Sequence, residues 1–194
     1  MFCNIAVSIL SVGFVPNVFS IMQSKDIDQF DHYYRHLLLW DDDRLEIAGA
    51  YRLGEIWRWQ GQPKTKLYSQ SLFDYQPSIQ PLFARGLELG RSFVQPQYWG
   101  RRSLDYLWQG IGAYLASHPQ VRYLFGPVSL SNNMPKPARD MLVHFYETHF
   151  ADPDHFALPA IPYVIDADNL ADLRQQMPGL DFDMDHEWLR NQLG

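Results

Sequence analysis

The apolar positions in the middle of the chain follow the spacing of a strand, then of a helix, then of a second strand. Leu87–Val94 is a short apolar run, which is typical of a buried strand, and Gln95–Arg102 contains a proline and a glycine and predicts a turn. A helix that Pro119 ends is predicted next, because apolar residues recur at i, i+3, i+4 and i+7: Leu104, Leu107, Trp108, Ile111, Tyr114 and Leu115. Val121–Leu130 is apolar again, so this unit predicts two parallel strands with a right-handed crossover.

The rest of the chain adds a hairpin, a loop and further helices. His36–Trp40 and Ile47–Leu53 are apolar runs joined by an acidic turn, which predicts an antiparallel hairpin. Gly54–Phe83 is rich in glycine and proline and is predicted to be mostly loop. Helical spacing and helix-end signals predict three more helices: one after Pro135 and Pro137, with Ala138, Met141, Leu142 and Phe145 on one face, then Asp166–Met177 and Asp183–Leu193. The mixture of strands and helices predicts an α/β fold.

Composition narrows the classes of protein. A chain of 194 residues with 46% hydrophobic residues can bury a core and fits one domain. The net charge of −6 argues against a nucleic-acid partner, whose binding surface would be basic. The single cysteine, Cys3, excludes an internal disulfide and fits a reducing compartment. The sequence contains no Cys–His cluster for zinc, no nucleophile elbow and no Walker A loop, so we predict neither a metal nor a covalent mechanism.

Two charged residues interrupt the first strand of the central unit. Glu88 and Arg91 lie among apolar residues, and unpaired buried charge is unfavourable. Strict alternation along a strand would place them on opposite faces, but Gly90 between them is typical of a bulge, which would turn both side chains into one cleft. A structural ion pair at the end of the strand is the alternative interpretation.

A long segment of the chain resembles a known family of enzymes. ELGRSFVQPQYWGRRSLDYLWQGIGAYL, followed by YLFGPVSLSN, is similar to the core of the GNAT-type N-acyltransferases once described as hemolysin-like. The resemblance extends to FDHYYRHLLLWDDDRLEIAGAYRLG and KPARDMLVHFYETHF, and is strongest to the C-terminal N-acyltransferase domain of bifunctional ornithine lipid synthases. Glu88 with Arg91 also resembles the autoinducer synthases. The resemblance implies a mixed central sheet with a splayed parallel strand pair and flanking helices.

The N-terminal segment departs from that family. Residues 1–24 are apolar for about the length of a membrane span, but Asn4, Pro16 and Asn17 interrupt the run and no basic residue precedes Lys25. A membrane-touching segment, a replaced element and a wrongly placed start are the alternatives. We favour a divergent segment over residues 1–24, followed by a single GNAT-like domain over residues 25–194 that is shortened at its C-terminus as well.

The resemblance also predicts the acyl donor. Coenzyme A users of this superfamily hold the pyrophosphate in a glycine-rich loop at a helix N-terminus, whereas Arg102 and Leu104 replace the expected glycines here and Gly100 remains. The loss implies an acyl carrier protein thioester, with phosphopantetheine and no nucleotide, rather than acyl-CoA, and no bound cofactor. The residues implied to bind the donor are Phe93, Val94, Gly100, Arg101 and Arg102, although plain solvent exposure is the alternative for the two arginines.

The resemblance assigns further residues to the acyl chain and to catalysis. An S-x-F-D segment borders the acyl-chain pocket in the related enzymes, and here it comprises Ser71, Phe73 and Asp74. Packing in the core is the alternative for this aromatic-rich loop. Ser129 and Asn132 are predicted to complete the pocket for the acyl chain and acceptor. The predicted catalytic residues are Glu88 as general base, Arg91 as the group that orients it or the acceptor, and Tyr146 as the acid for the thiolate, with core packing the alternative for Tyr146.

The resemblance implies an N-acyltransferase that moves a 3-hydroxy fatty acyl group from acyl carrier protein to an amino acid. Ornithine is the favoured acceptor, and the product would be a lyso-ornithine lipid. Synthesis of another N-acyl amino acid or of an acyl-homoserine lactone is the alternative with the same chemistry. A non-catalytic remnant that binds carrier protein or membrane is the alternative from another class. The predicted location is the cytoplasm, with peripheral contact at the inner face of the membrane left open.

Overall fold

A computed structural model describes residues 5–10, 27–59, 65–131 and 133–194 of the chain. Its regular elements include both strands and helices, as the sequence predicts. In chain order they are β1 (Ile5–Leu10), β2 (Arg35–Asp41), β3 (Glu46–Glu55), α1 (Ile56–Trp59), β4 (Phe73–Tyr75), α2 (Gln80–Phe83), β5 (Gly86–Val94), α3 (Ser103–Ala116), β6 (Tyr123–Phe125), α4 (Lys136–His149), β7 (Ala157–Pro159), α5 (Ala167–Gln176) and α6 (Phe182–Leu193).

These elements form two compact units. The first comprises residues 1–73 and 77–127, and the second comprises residues 74–76 and 128–194. The predicted division of the chain, a divergent segment over residues 1–24 and one domain over residues 25–194, stays a prediction. In the part of the chain that the structure describes, no helix has both the length and the apolar character needed to cross a membrane.

A mixed five-stranded sheet forms the first unit. Its strand order is β1-β2-β3-β5-β6, and every neighbouring pair is antiparallel except β5 and β6, which run parallel. The predicted hairpin is therefore confirmed as β2 and β3, and the predicted parallel pair as β5 and β6. Helix α3 connects the parallel strands, which confirms the predicted α/β class with a mixed sheet and flanking helices.

The edge strand β1 comes from the apolar N-terminal segment. Residues 5–10 pair with β2 in antiparallel register, from Ile5 opposite Asp41 to Leu10 opposite His36. This stretch of the predicted divergent segment is therefore part of the sheet. The remainder of residues 1–24 lies outside the described residues.

Helix α3 closes the core of the first unit, because its apolar stripe packs on one face of the sheet. Leu107, Ile111 and Tyr114 are buried against strand residues that include Leu53 and Leu87. The spacing of four and three residues between these helical positions keeps them on one side of the helix. Of the other predicted stripe residues, Leu115 packs against this core and is partly buried, whereas Leu104 and Trp108 are 51% and 48% exposed. The stripe is thus wider than the core that it covers.

Strand β6 is shorter than predicted. The sequence indicates a strand over Val121–Leu130, whereas the strand occupies Tyr123–Phe125. Pro127 has no N–H with which to continue the ladder. Just before it, a Cβ on Gly126 would lie 1.9 Å from the carbonyl oxygen of Leu89, so only glycine allows this approach. β5 therefore continues beyond the residues that pair with β6, and the parallel pairing is confined to three residues of each strand.

The second unit contains α4, α5 and α6, and the three predicted helices are confirmed to within about two residues. Its core consists of Phe145, Leu173, Met177 and Leu189. β7 pairs with β4, so residues 74–76 belong to this unit. The backbone N–H of Gln76 extends the pairing by donating to Phe156 at 2.8 Å.

The close approach at Gly126 gives a test of the fold. Gly126→Ala should lower the free energy of unfolding by about 1–3 kcal/mol, because the new methyl overpacks against backbone. Gly112→Ala, in α3 with open space around the position, is the control and should raise stability by about 0.5–1 kcal/mol through helix propensity. Urea unfolding of both variants measures the difference. Equal stability of the two would contradict the steric role of Gly126.

Candidate active site

A bulge interrupts the pairing of β3 with β5. Ala50 pairs with Phe93 and Arg52 pairs with Gly90, so Tyr51 faces two residues of β5, Arg91 and Ser92. The sequence predicts a bulge at Gly90, and the bulge in the structure begins one residue later, at Arg91. Arg91 adopts φ = +44°, a left-handed conformation that is unfavourable for a residue with a side chain. Backbone strain of this kind is concentrated at functional sites, which makes the bulge a candidate site.

Glu88 lies two residues before Gly90 and is 1% exposed. Its Oε1 accepts the backbone N–H of Ser69 at 2.8 Å, and its Oε2 accepts the backbone N–H of Tyr68 at 3.2 Å. Oε2 also accepts the hydroxyl of Tyr34. Hydrogen bonds to an ionised group are the strong ones, and three of them hold this carboxylate. The chain segment at residues 68–69 is thereby fixed to the centre of the sheet.

Tyr34 connects Glu88 to the rest of the site. Burial raises the pKa of the Tyr34 phenol, and the negative charge of Glu88 raises it further, so the hydroxyl remains protonated and donates to Glu88. The Tyr34 oxygen also accepts the N–H of Tyr68 at 2.8 Å. The position of the ring depends on Gly54 of β3, where an added Cβ would lie 2.7 Å from the ring. A small residue on β3 is thus what allows the phenol to reach the carboxylate.

Arg91 belongs to a second charged group around Asp28. Arg91 Nη1 donates to Asp28 Oδ2 at 2.9 Å, and Arg52 Nη1 donates to both oxygens of the same carboxylate at 2.8 Å. Burial alone would raise the pKa of Asp28, but the hydrogen bonds from Arg52 and from the N–H of Phe30 outweigh it and hold the pKa below its ordinary value. Asp31 adds a further contact to Arg52 Nη1 at 3.1 Å.

Arg52 joins the two groups. It is 1% exposed, and its guanidinium carbon lies 5.0–5.5 Å from the ring centroids of Phe30, Tyr34 and Tyr68. Cation–π attraction is strongest when the cation is desolvated, as it is here. The Nε and Nη2 atoms of Arg52 have no hydrogen-bond partner, and the guanidinium contacts three aromatic rings, one of which is the phenol that binds Glu88.

The predicted pair, Glu88 and Arg91, therefore belongs to one connected network. The path runs from Arg91 to Asp28, then to Arg52, to Tyr34 and finally to Glu88. No pattern in the sequence identified Asp28, Arg52 or Tyr34 as members of this network. A signal was present, since Arg52 interrupts the apolar, small-sided run of β3 in the same way as Glu88 interrupts β5.

The residues predicted to bind the donor lie at and after the end of β5. Phe93 is 46% exposed and Val94 is partly buried. Gly100 has φ = +70° in the turn, and Arg101 and Arg102 are exposed where α3 begins. Arg102 Nε lies 3.4 Å from Asp105 in the first turn of the helix. These five predicted residues are in one unit and within a short stretch of chain, and their role stays a prediction.

The remaining predicted site residues are distributed over both units. Ser71 is exposed, and its hydroxyl donates to the carbonyl of Tyr68 at 2.6 Å. Phe73 is partly buried in β4. Asn132 lies outside the described residues. Three others belong to the second unit and are exposed: Asp74, Ser129 and Tyr146 on α4, the last with 57% of its surface accessible.

Comparison with known proteins confirms the predicted resemblance. A family model described as "Acetyltransferase (GNAT) domain" matches residues 17–109, which include β2, β3, β5 and the bulge. The "Glycine N(alpha)-acyltransferase" of Bacteroides thetaiotaomicron is 33% identical over 156 residues, covering 74% of this chain and 46% of that protein. The "Glycine N(alpha)-acyltransferase" of Phocaeicola vulgatus is 31% identical over 159 residues, covering 75% of this chain and 49% of that protein.

Relatives named for a different acceptor match at similar identity. The "L-ornithine N(alpha)-acyltransferase" of Brucella abortus is 30% identical over 148 residues, covering 73% of this chain and 51% of that protein. The chain thus spans about half the length of the curated relatives that it matches. No solved structure gave a significant match. These sequence similarities therefore agree with the predicted resemblance to the GNAT-type N-acyltransferase family. The relatives are named for two acceptors, glycine and ornithine.

The bond between Tyr34 and Glu88 gives a test of the site. Tyr34→Phe should lower the free energy of unfolding by about 1.5–3 kcal/mol, because a buried hydrogen bond to a charged group is lost. The control is Tyr33→Phe, which removes an exposed hydrogen bond to the Lys66 carbonyl and should change stability by no more than about 0.5 kcal/mol. Urea unfolding measures both, and an equal loss in the two variants would contradict the structural role of the Tyr34 hydroxyl.

Proposed function

We propose that this protein is an N-acyltransferase that moves a fatty acyl group from an acyl carrier protein thioester to the α-amine of an amino acid, with ornithine as the preferred acceptor. The observation that carries the proposal is the buried Glu88–Tyr34 pair beside a strained bulge on β5. The similarity to the GNAT domain and to amino-acid N-acyltransferases supports the same chemistry.

The acceptor amine must lose a proton before it can attack. Glu88 is the proposed base, but its oxygens are covered by Tyr34, Tyr68 and Ser69, so a proton must reach it through one of these groups. The Tyr34 hydroxyl is the group that can relay one. As its own proton passes to Glu88, its oxygen takes a proton from the ammonium group, and the phenol is never left as an anion.

Acyl transfer then follows by direct attack. The nitrogen lone pair forms a bond to the thioester carbon, and the C–S bond breaks as the tetrahedral intermediate collapses. β5 extends six residues past its last pair with β6, so its backbone N–H groups are the proposed donors to the thioester oxygen. The thiolate of phosphopantetheine leaves and takes one of the two protons that the attacking nitrogen then carries, and the other proton stays on the amide product.

Arg91 is the proposed contact for the carboxylate of the acceptor. Its side chain is 31% exposed and shares Asp28 with the buried Arg52, so the ion pair with Asp28 holds it in place while part of it faces solvent. A guanidinium fork matches a carboxylate in geometry and charge. A contact there would orient the α-amine of an amino acid and would discriminate against simple amines.

The charge distribution supports a carrier-protein donor that docks on the first unit. Residues 128–194 contain four basic and eleven acidic residues, a net charge of −7, which would repel an acidic carrier. Arg101 and Arg102 instead offer positive charge at the start of α3. Asp105 lies in the first turn of that helix, where a nucleotide pyrophosphate would otherwise be stabilised, so coenzyme A is the less favoured donor.

Glycine is a second candidate acceptor. Two relatives named glycine N(alpha)-acyltransferases match with 33% and 31% identity, whereas the ornithine enzyme of Brucella abortus matches with 30%. The network around Arg91 would bind the carboxylate of either amino acid. The choice therefore concerns the side chain of the acceptor and not the chemistry of transfer.

A competition assay tests the proposal. The full chain is incubated with ornithine, glycine and homoserine lactone in one reaction, with the same 3-hydroxyacyl group on carrier protein or on coenzyme A, and products are identified by mass spectrometry. We expect N-acylornithine, formed faster from carrier protein. Mainly N-acylglycine would establish the second candidate, equal or better use of coenzyme A would reject the carrier donor, and binding without any product would favour a non-catalytic carrier-binding domain.

A variant of Glu88 tests the mechanism. Glu88→Gln should lower kcat/KM per folded molecule by about 10²–10⁴-fold, because the base is lost. Some stability should also be lost, since an amide cannot accept from all three donors at once. Glu55→Gln is the matched control: Glu55 is 3% exposed and accepts from Tyr114 and Arg35. We expect it to lose stability and to retain activity per folded molecule. Near-normal turnover of folded Glu88→Gln would remove Glu88 from the mechanism.

A further inference from the structure

An exposed group of aromatic rings lies on the second unit, where α4 packs against α6. Tyr146 on α4 contacts Phe150 at the end of that helix, with the ring centroids 5.7 Å apart. Phe150 contacts Phe182 on α6 at 5.8 Å, and Phe182 stacks on His186 at 5.7 Å. The first three residues are 57%, 60% and 43% exposed, and His186 is exposed as well. These four rings form one continuous surface, which we call the aromatic patch.

A buried residue supports the aromatic patch from below. Phe145 is 4% exposed, and its ring centroid lies 5.5–6.2 Å from the centroids of all four patch rings. An ion pair joins the same two helices, because His149 Nε2 on α4 lies 2.8 Å from Asp185 Oδ2 on α6. The rings are therefore held in place before any partner arrives, which lowers the entropy that binding would cost.

The core of the second unit does not account for these rings. That core is small and consists of Phe145, Leu173, Met177 and Leu189. A contiguous apolar surface that stays exposed marks a site of interaction, and aromatic residues are enriched where proteins bind one another. The aromatic patch is thus a candidate surface for a partner.

Acidic residues flank the aromatic patch along the chain. Residues 146–154 and 181–187, which supply the patch, contain no lysine or arginine. All but one of their seven acidic residues are exposed, the exception being Asp185. The seven are Glu147, Asp152, Asp154, Asp181, Asp183, Asp185 and Glu187. An apolar surface with a negative rim requires a partner that brings both apolar side chains and positive charge.

We infer that the aromatic patch binds a basic amphipathic segment of a partner protein. Its apolar side chains cover the rings, its lysines or arginines pair with the acidic rim, and a cation over an exposed ring adds cation–π attraction. The rim disfavours the other occupants: an anionic membrane carries like charge, and an isologous contact with a second copy would bring two acidic rims together. The inference is independent of the proposed function.

Binding of a defined peptide to the full chain tests the inference by fluorescence anisotropy. The probe is a labelled peptide of about 18 residues with leucines on one helical face and lysines on the other. One control peptide has the same composition in an order without an apolar face, and a second has glutamate in place of lysine. We expect saturable binding of the probe, at least tenfold weaker binding of the first control and none of the second.

Variants locate the binding on the patch. Phe150→Ala should weaken binding of the probe by about fivefold or more, whereas Ile161→Ala, at an 89% exposed apolar position outside the patch, should not change it. The double variant Glu147→Gln/Asp183→Asn should weaken binding by about three- to tenfold at low salt and have little effect at high salt. Asp168→Asn/Asp172→Asn removes the same charge from the same unit and should change binding less than twofold.

Urea unfolding shows which variants keep their fold, and the charge variants decide the outcome if Phe150→Ala does not. Absence of probe binding, or equal binding to the patch variants and their controls, would overturn the inference. Binding to vesicles of anionic lipid that Phe150→Ala abolishes would overturn it in favour of a membrane, and self-association that Phe150→Ala abolishes would overturn it in favour of a second copy. None of these measurements requires acyl transfer, so probe binding by a chain without transferase activity would support the inference and contradict the proposed function.

Discussion

Burial of the Glu88 carboxylate is the constraint on which the centre of this protein depends. An ionised carboxylate is tolerated in a protein interior only when it is hydrogen-bonded and balanced by opposite charge. Here a phenol and two backbone N–H groups fill its oxygens. Arg52 supplies buried positive charge in contact with the same phenol. Several features serve this one carboxylate. Residues 68–69 and Tyr34 donate hydrogen bonds to it, and Gly54 leaves room for the ring of Tyr34. These contacts hold residues 68–69 and the ring of Tyr34 at the centre of the sheet.

The bulge at Arg91 divides β5 into two chemically different parts. Before it, the strand is built into a polar network of carboxylates, arginines and phenols. After it, the strand borders an apolar groove on α3. A regular strand would continue its alternation through this point and would mix the two environments. The left-handed backbone at Arg91 resets the alternation, so that a single strand can present a polar site and an apolar site in succession.

The sequence predicted the parts of this arrangement that are local and missed the parts that depend on distant pairing. Glu88 and the presence of a bulge could be predicted because charge and glycine within an apolar strand are conspicuous over a few residues. The length of β6 could not be predicted, because its end is set by the approach of Gly126 to the carbonyl of Leu89, which lies 37 positions earlier in the chain. Tyr34 and Arg52 were missed for the same reason: Tyr34 lies 54 residues from Glu88, and Arg52 lies 24 residues from Asp28. Periodicity carries no information about partners at such separations.

If the proposed function holds, the division of β5 separates the environments that two unlike substrates need. An amino acid is small, zwitterionic and hydrated, and it needs fixed charges that replace its water. An acyl chain is long and apolar, and it is bound by the surface area that it removes from water. A site that mixed these requirements would bury a charge beside hydrocarbon on every turnover, at several kcal/mol. In the proposed reaction, a charged network before the bulge and an apolar groove after it would avoid that loss, because the two environments lie on different parts of β5.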